Sequence, residues 1–216
     1  MRIESQVRDA APALQVTNLG LRDYIPVWHD MQAFTQTRDA DAADQVWLLQ
    51  HPPVFTLGMN ARREHLLAPG DIPVVDVDRG GQVTHHGPGQ LLAYVLLDLR
   101  RRHMGVRGLV DVLEQSVIEW LRCNGVTARS RADAPGVYVD GAKLAALGLR
   151  VRRGCSYHGL ALNVDMDLAP FARINPCGYE GMPVTQTSEL GIDMTVDEVA
   201  RQWLPYLVER LEHFGN

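Results

Sequence analysis

Long apolar runs are missing from this chain of 216 residues. Its most apolar stretch, Leu91 to Leu97, is far shorter than the ~18 residues needed to span a bilayer. The first ten residues carry Arg2, Glu4, Arg8 and Asp9 without an apolar segment, so neither a membrane protein nor a secretory leader is expected. Cysteine is scarce: Cys123, Cys155 and Cys177 are odd in number and lack CxxC spacing. That excludes a disulfide framework and makes the reducing cytoplasm the expected compartment. Positive charge is in deficit, with 21 Lys+Arg against 26 Asp+Glu and a net charge of -5, which argues against nucleic-acid binding by phosphate neutralisation. There is no GxxxxGK[ST], no GxGxxG opening a helix and no GxSxG, which excludes the usual P-loop, dinucleotide and serine-hydrolase signatures. His85-His86 are neighbours on a strand and point to opposite faces. Cys155-x-x-His158 is half of a zinc site without a second half. No metal and no cofactor are expected.

What is present reads as one globular α+β domain, 46% hydrophobic and large enough to bury a core without staples. Strands are expected at Leu14–Thr17, Val46–Gln50, Val54–Leu57, Ile72–Val77 and Leu91–Leu97. The last is apolar on both faces and so central in its sheet. Glycine turns then divide Val137–Val139, Ala142–Leu147, Leu149–Arg153 and Ser156–Asn163 into short strands. A helix from about Leu21 to Thr37 presents Tyr24, Val27, Trp28, Met31 and Phe34. A second, Gly108–Cys123, carries Leu109, Leu113, Val117, Trp120 and Leu121. Thr195 to Glu198 is a capping box that opens a third, with Val199, Trp203, Leu207 and Leu211; Pro205 should kink or divide it. Strands outnumber helices and do not alternate with them, so the sheet is expected to be mixed and mostly antiparallel.

Candidate chemistry lies in three places. Arg79 to Gln90 holds four glycines and a proline, a backbone able to approach a ligand closely. Cys177 sits between Pro176 and Gly178, a turn that can expose a sulfur; a loop cysteine without chemistry is the competing reading. Cys123 and Cys155 read as packed small hydrophobes. A free thiol is only a few per cent thiolate at pH 7 and needs a cation nearby. Lysine is scarce here, and Lys143 stands inside the apolar strand Ala142 to Leu147, as the thiol's partner or as a snorkelling surface residue.

Taken together, His51-Pro52-Pro53-Val54-Phe55-Thr56-Leu57-Gly58, Arg79 to Gln90, Gly141 to Gly148, His158 to Asn163 and Pro176-Cys177-Gly178 resemble the lipoate-protein ligase B family. These are octanoyl-(acyl carrier protein):protein N-octanoyltransferases. The resemblance runs in order from about Val46 to Gly178 and departs from the family pattern at His85, Ala142 and Cys155. It implies a biotin/lipoate ligase-like fold, with that region at about 41–216 of a single 1–216 domain. It implies Cys177 as a thioester-forming nucleophile and Lys143 as the residue that lowers its pKa. Arg79, Gly80, Gly81, Gln82, Val83, Thr84, His85 and His86 would line the acyl tunnel, with Ala146, Leu147 and Gly148 and with Gly159, Leu160 and Ala161 as its other walls; Leu162 is a further candidate around the chain.

The implied partners are octanoyl-acyl carrier protein as donor, and the lipoyl domains of 2-oxoacid dehydrogenase E2 subunits and the glycine cleavage H protein as acceptors. A monomer with no membrane or nucleic-acid partner is expected. Both kinds of partner are acidic, so a basic rim is expected at Arg150 and Arg152, or else at Arg100 to Arg102. An ATP-dependent lipoate or biotin ligase sharing this fold would not need Cys177, and a non-catalytic lipoyl-domain or acyl-carrier binding protein is the second alternative.

Overall fold

The computed structural model describes residues 13–175 and 181–214. Seven strands form the main sheet, in the order β1-β2-β6-β10-β9-β8-β7. These are β1 (Gln15–Leu21), β2 (Gln45–Gln50), β6 (Gln90–Leu96), β7 (Arg129–Ser130), β8 (Gly136–Val139), β9 (Ala142–Arg152) and β10 (Cys155–Asn163). Only β1 and β2 run parallel; every other pair in this sheet is antiparallel. A smaller sheet, ordered β4-β3-β5, holds β3 (Val54–Leu57), β4 (Val74–Asp76) and β5 (Val83–His86). The helices are α1 (Tyr24–Thr37), α2 (Val106–Cys123) and α3 (Val196–Glu212). The mixed, mostly antiparallel α+β architecture is the one expected.

Alternation along the central strands sorts the core into two layers. Leu91, Ala93 and Val95 of β6, with Leu160 and Leu162 of β10, pack under α2 and α3. Leu92, Tyr94 and Leu96, with Tyr157 and Ala161, face α1 through Val27 and Met31. The stripe expected on α2 is buried along its length, and Trp203 of α3 donates from Nε1 to Ser116 Oγ of α2 (3.0 Å). The Thr195–Glu198 capping box closes as expected, with both reciprocal bonds formed.

Several local expectations differ. β1 extends to Leu21 because its parallel ladder continues to the Leu21↔Gln50 pair, so α1 starts at Tyr24. Gly148 does not divide β9, since its backbone stays in the ladder opposite Gly159. Pro205 lies inside α3 without dividing it; the proline removes one donor, while Val199, Trp203, Leu207 and Leu211 stay buried on both sides of it. Cys123 is exposed at the end of α2 and is not a packed hydrophobe, whereas Cys155 is buried.

The arginines expected as a basic rim differ in how far they are already engaged. Arg101 and Arg102 bond the buried Asp44 carboxylate (2.7 and 2.6 Å), which Arg38 also holds (2.8 Å). Asp44 further accepts the Asp98 N–H (2.8 Å). This cluster fastens the β6–α2 turn to the start of β2 and leaves only Arg100 of the triplet to solvent. Arg152 is exposed on β9 and Arg150 half-buried, with Arg150 Nη1 on Met59 Sδ (2.8 Å).

Candidate active site

A cavity lies between the α1 face of the main sheet and the small sheet. Its floor comes from strand register. Tyr94, Gly159 and Gly148 form one row across β6, β10 and β9, and Leu92, Ala161 and Ala146 the next. Asn163 and Gln90 pair one further step along. All of these residues line the cavity, and small side chains in the first two rows leave the space open. Val83, Thr84 and His86 of β5 border it from the other sheet.

Lys143 reaches this wall because β9 is irregular. In a regular strand, residues 143 and 145 share a face, and Ala145 packs in the α2–α3 core. Here Val137 pairs with Ala145 and Tyr138 with Lys143, so Leu144 is an extra residue in the ladder. This bulge turns Lys143 to the cavity side. Lys143 is the chain's only lysine and is buried. Its Nζ lies 5.3 Å from the Tyr138 ring centroid, and its stem passes Gly136, where a Cβ would meet Lys143 Cε at 2.9 Å.

Lys143 also anchors a returning segment. Its N–H donates to Pro183 O (2.8 Å), and its carbonyl accepts from the Thr185 N–H (3.0 Å). On the near side, the Asn175 N–H donates to His65 O (2.8 Å). Cys177 falls between these anchors, outside the described residues. Asn175, Gly181, Met182, Pro183 and Val184 border a second hollow that shares Phe171 and Val184 with the first.

Arg79 is buried at the opposite wall. Nη2 donates to Thr56 O (2.7 Å) and Oγ1 (2.8 Å), Nε to Thr56 Oγ1 (3.1 Å), and Nη1 to Gly80 O (2.9 Å). Gly148 makes room for it: a Cβ there would stand 2.9 Å from Arg79 Cδ. Of the residues expected along the tunnel, Arg79, Gly81, Gln82, Val83, Thr84, His86, Ala146, Leu147, Gly148, Gly159, Leu160 and Ala161 border the cavity. Gly80 and His85 do not. The Gly80 N–H is used on Leu149 O (2.9 Å). The His85 ring packs against Phe55 and Phe171. Leu162 points into the α2–α3 core.

Several buried polar residues around the cavity had no distinct signal in the sequence beyond lying in apolar surroundings. His51 Nε2 bonds Tyr94 OH (2.7 Å) and its Nδ1 bonds Arg22 O (2.6 Å). A carbonyl only accepts, so Nδ1 carries the proton and Nε2 accepts from the tyrosine. Burial lowers the pKa of His51 to about 4 and holds His86 well below the ordinary histidine value. Both rings are therefore neutral at pH 7. Asp78 gathers the second group: it accepts from Trp28 Nε1 (2.8 Å), Gln32 Nε2 (3.1 Å), Tyr157 OH and His158 Nε2 (3.2 Å). Those bonds outweigh its partial burial and hold its carboxyl well below the usual range. His158, at φ 60, is a non-glycine residue in left-handed backbone within β10. Among the described residues no cluster of three or more His, Cys, Asp or Glu could hold a metal ion.

The lipoyl protein ligase A/B catalytic domain family matches residues 23–208. The chain belongs to this family. An octanoyltransferase of Pseudomonas fluorescens is 60% identical over 195 residues, covering 90% of this chain and 91% of that protein. One of Thiobacillus denitrificans is 62% identical over 190 residues, covering 88% and 87%. With relatives this close, the family member described here is an enzyme, an acyltransferase. A bipartite lipoate protein ligase from Thermoplasma acidophilum superposes with a TM-score of 0.74 at 16% identity, over 93% of this chain and 84% of that one. A biotin protein ligase from Aquifex aeolicus does so with 0.57 at 14%, over 93% and 71%. These likenesses carry the fold. Among the described residues no helix is long and apolar enough to cross a membrane.

Proposed function

We propose that this enzyme transfers an octanoyl group from an acyl carrier protein to a lysine of lipoyl domains, through a thioester on Cys177. The acceptors would be E2 subunits of 2-oxoacid dehydrogenases and the glycine cleavage H protein. The observation that carries the reading is the bulge that aims the chain's only lysine into a largely apolar cavity. The segment bearing Cys177 leads into the residues bonded to that lysine's own backbone.

An ammonium about 4 Å from a thiolate, at an effective dielectric near 20, stabilises it by roughly 4 kcal/mol before desolvation is subtracted. In the first half-reaction the Cys177 thiol gives its proton to Lys143 and the thiolate attacks the carrier thioester. The new C–S bond forms as the carrier's C–S bond breaks, and the leaving pantetheine sulfur takes the proton from Lys143. In the second, the acceptor lysine attacks the enzyme thioester and Lys143 removes the proton from its nitrogen. The amide forms and Cys177 leaves as thiolate. Exchange of thioesters is nearly neutral and aminolysis is downhill, so neither ATP nor a metal is needed.

Replacing Cys177 with serine tests this. Transfer from an octanoylated carrier protein should be lost, whether or not ATP is added. A Cys177→Ser enzyme that still modifies a lipoyl domain from free octanoate and ATP would make the chain an adenylating ligase and overturn the proposal.

A further inference from the structure

Beside Lys143 the cavity wall is polar. Gln90 and Asn163 face each other on β6 and β10, line the cavity and are 1% and 4% exposed. Gln90 Nε2 donates to Asn163 Oδ1 (2.9 Å), and Asn163 Nδ2 donates to the carbonyl of Thr185 (2.9 Å). Thr185 belongs to the strap that exchanges backbone bonds with Lys143, and farther along the Thr187 N–H donates to Asn163 O (3.1 Å). No strand of the main sheet includes this strap; beside β9 it makes a single bridge, Lys143↔Val184. The amide pair adds a side-chain hold to these backbone bonds, and the Thr187 hydroxyl donates to Val164 O (3.1 Å) at the far end.

The pair is itself oriented from the other wall. Arg79 donates to Thr56 Oγ1, the Thr56 hydroxyl meets His86 Nε2 (3.4 Å), and His86 Nδ1 meets Gln90 Oε1 (2.8 Å). Gln90 Oε1 only accepts, so His86 carries its proton on Nδ1 and accepts from Thr56 on Nε2. Every donor then points the same way, from the guanidinium to the Thr185 carbonyl, and such aligned bonds strengthen one another.

We propose that Asn163 and Gln90 are positioning residues for acyl transfer: they clamp the Pro183–Thr187 strap against Lys143 and so fix the lysine at the cavity wall. This rests on the role given to Lys143 above. Loss of the Asn163 amide donor leaves the Thr185 carbonyl without its partner and loosens the strap. A displacement of about 1 Å at a reacting group costs on the order of a hundredfold in rate.

Asn163→Asp tests the clamp. The aspartate keeps the shape and still accepts from Gln90, yet when ionised it presents an oxygen to the Thr185 carbonyl. Protonated, it donates again. Octanoyl loading should be about a hundredfold slower than in the unaltered enzyme near pH 8, with the donor KM unchanged. The deficit should close as pH falls through the raised pKa of the buried carboxyl. Amide exchange at Lys143 and Thr185 should quicken at high pH and slow again over the same range. Asn163→Leu should be slow at every pH. If Asn163→Asp is too unstable to assay, Gln90→Glu, which keeps the acceptor for His86 and loses the donor to Asn163, should show the same rate loss. Normal loading by both Asn163→Asp and Gln90→Glu, with a variant-to-parent ratio flat in pH and Lys143→Met inactive, overturns the clamp alone. Normal loading by Lys143→Met overturns the lysine's role instead.

Discussion

Lys143 is where local chemistry and global position meet. A buried amine in an apolar strand was visible in the sequence as an oddity, and the family resemblance gave it a role. Its burial is observed here; its partnership with Cys177 is proposed. Lys143→Met keeps the length and apolar contacts of the stem while removing the charge, so octanoyl loading should fall by at least about a hundredfold with thermal stability nearly unchanged. Stopped-flow loading and a melting curve check both. Arg79 is a different kind of residue, because its fork makes three bonds to one threonine. Arg79→Lys cannot reproduce that geometry. It should lose rate as well as about 1–3 kcal/mol of stability, the range for leaving buried polar partners unsatisfied; denaturant unfolding reads the second. The buried His51, Asp78, Gln90 and Asn163 were far less legible, since a single sequence does not say which apolar strand carries a satisfied polar group.

At the scale of elements, most strands and all three helices could be read from periodicity and caps, because packing and pattern agree there. The bulge in β9 could not. One residue inserted into a ladder leaves no mark in composition, yet it decides which face receives the lysine. Exchanging neighbours, Lys143→Leu with Leu144→Lys, separates the two geometries. In a regular strand the moved lysine would share the face of Ala146 and line the cavity. In the bulged strand it enters the α2–α3 core, where Leu144 is fully buried. The expected outcome is loss of loading and a melting temperature lower by about 10 °C, since an unpaired buried charge costs about 3–5 kcal/mol. Retained loading would mean that position 144, which borders the cavity as well as the core, can supply the amine in place of Lys143. β9 itself runs unbroken past Gly148 because the backbone stays in the ladder opposite Gly159, and the missing side chain leaves room for Arg79.

For the whole molecule, electrostatics divides into buried neutral groups, a buried ion cluster and an exposed rim. Burial lowers the pKa of His51 and His85 to about 4, and lowers His86 and His158 as well. A histidine whose folded pKa is depressed binds its proton in the unfolded chain first. The stability it contributes is therefore present above the unfolded value of about 6.5 and is lost as pH falls toward about 4. His51 and His85 each contribute up to about 1.4 kcal/mol per pH unit across that window, with His86 and His158 acting in the same direction, so melting temperatures should drop steadily between about pH 6.5 and 4; a flat profile would contradict neutral burial. In the Arg38–Asp44–Arg101–Arg102 cluster the sequence displays charge, and only the fold shows that Asp44 already pairs Arg101 and Arg102. Arg150 and Arg152, the first expectation for a docking rim, are half-buried and exposed on β9. Reversing both to glutamate should slow loading at low salt and flatten its salt dependence, and an unchanged association rate would move the rim elsewhere.

The most direct measurement is the site of the acyl group itself. The enzyme, mixed with an octanoylated carrier protein and quenched in acid before acceptor is added, can be digested and sequenced by mass spectrometry. One octanoyl group should appear, on the peptide containing Cys177, cleavable by hydroxylamine and passed on when a lipoyl domain is supplied. Turnover without any adduct, or an adduct confined to exposed Cys123 or buried Cys155, would contradict the thioester route.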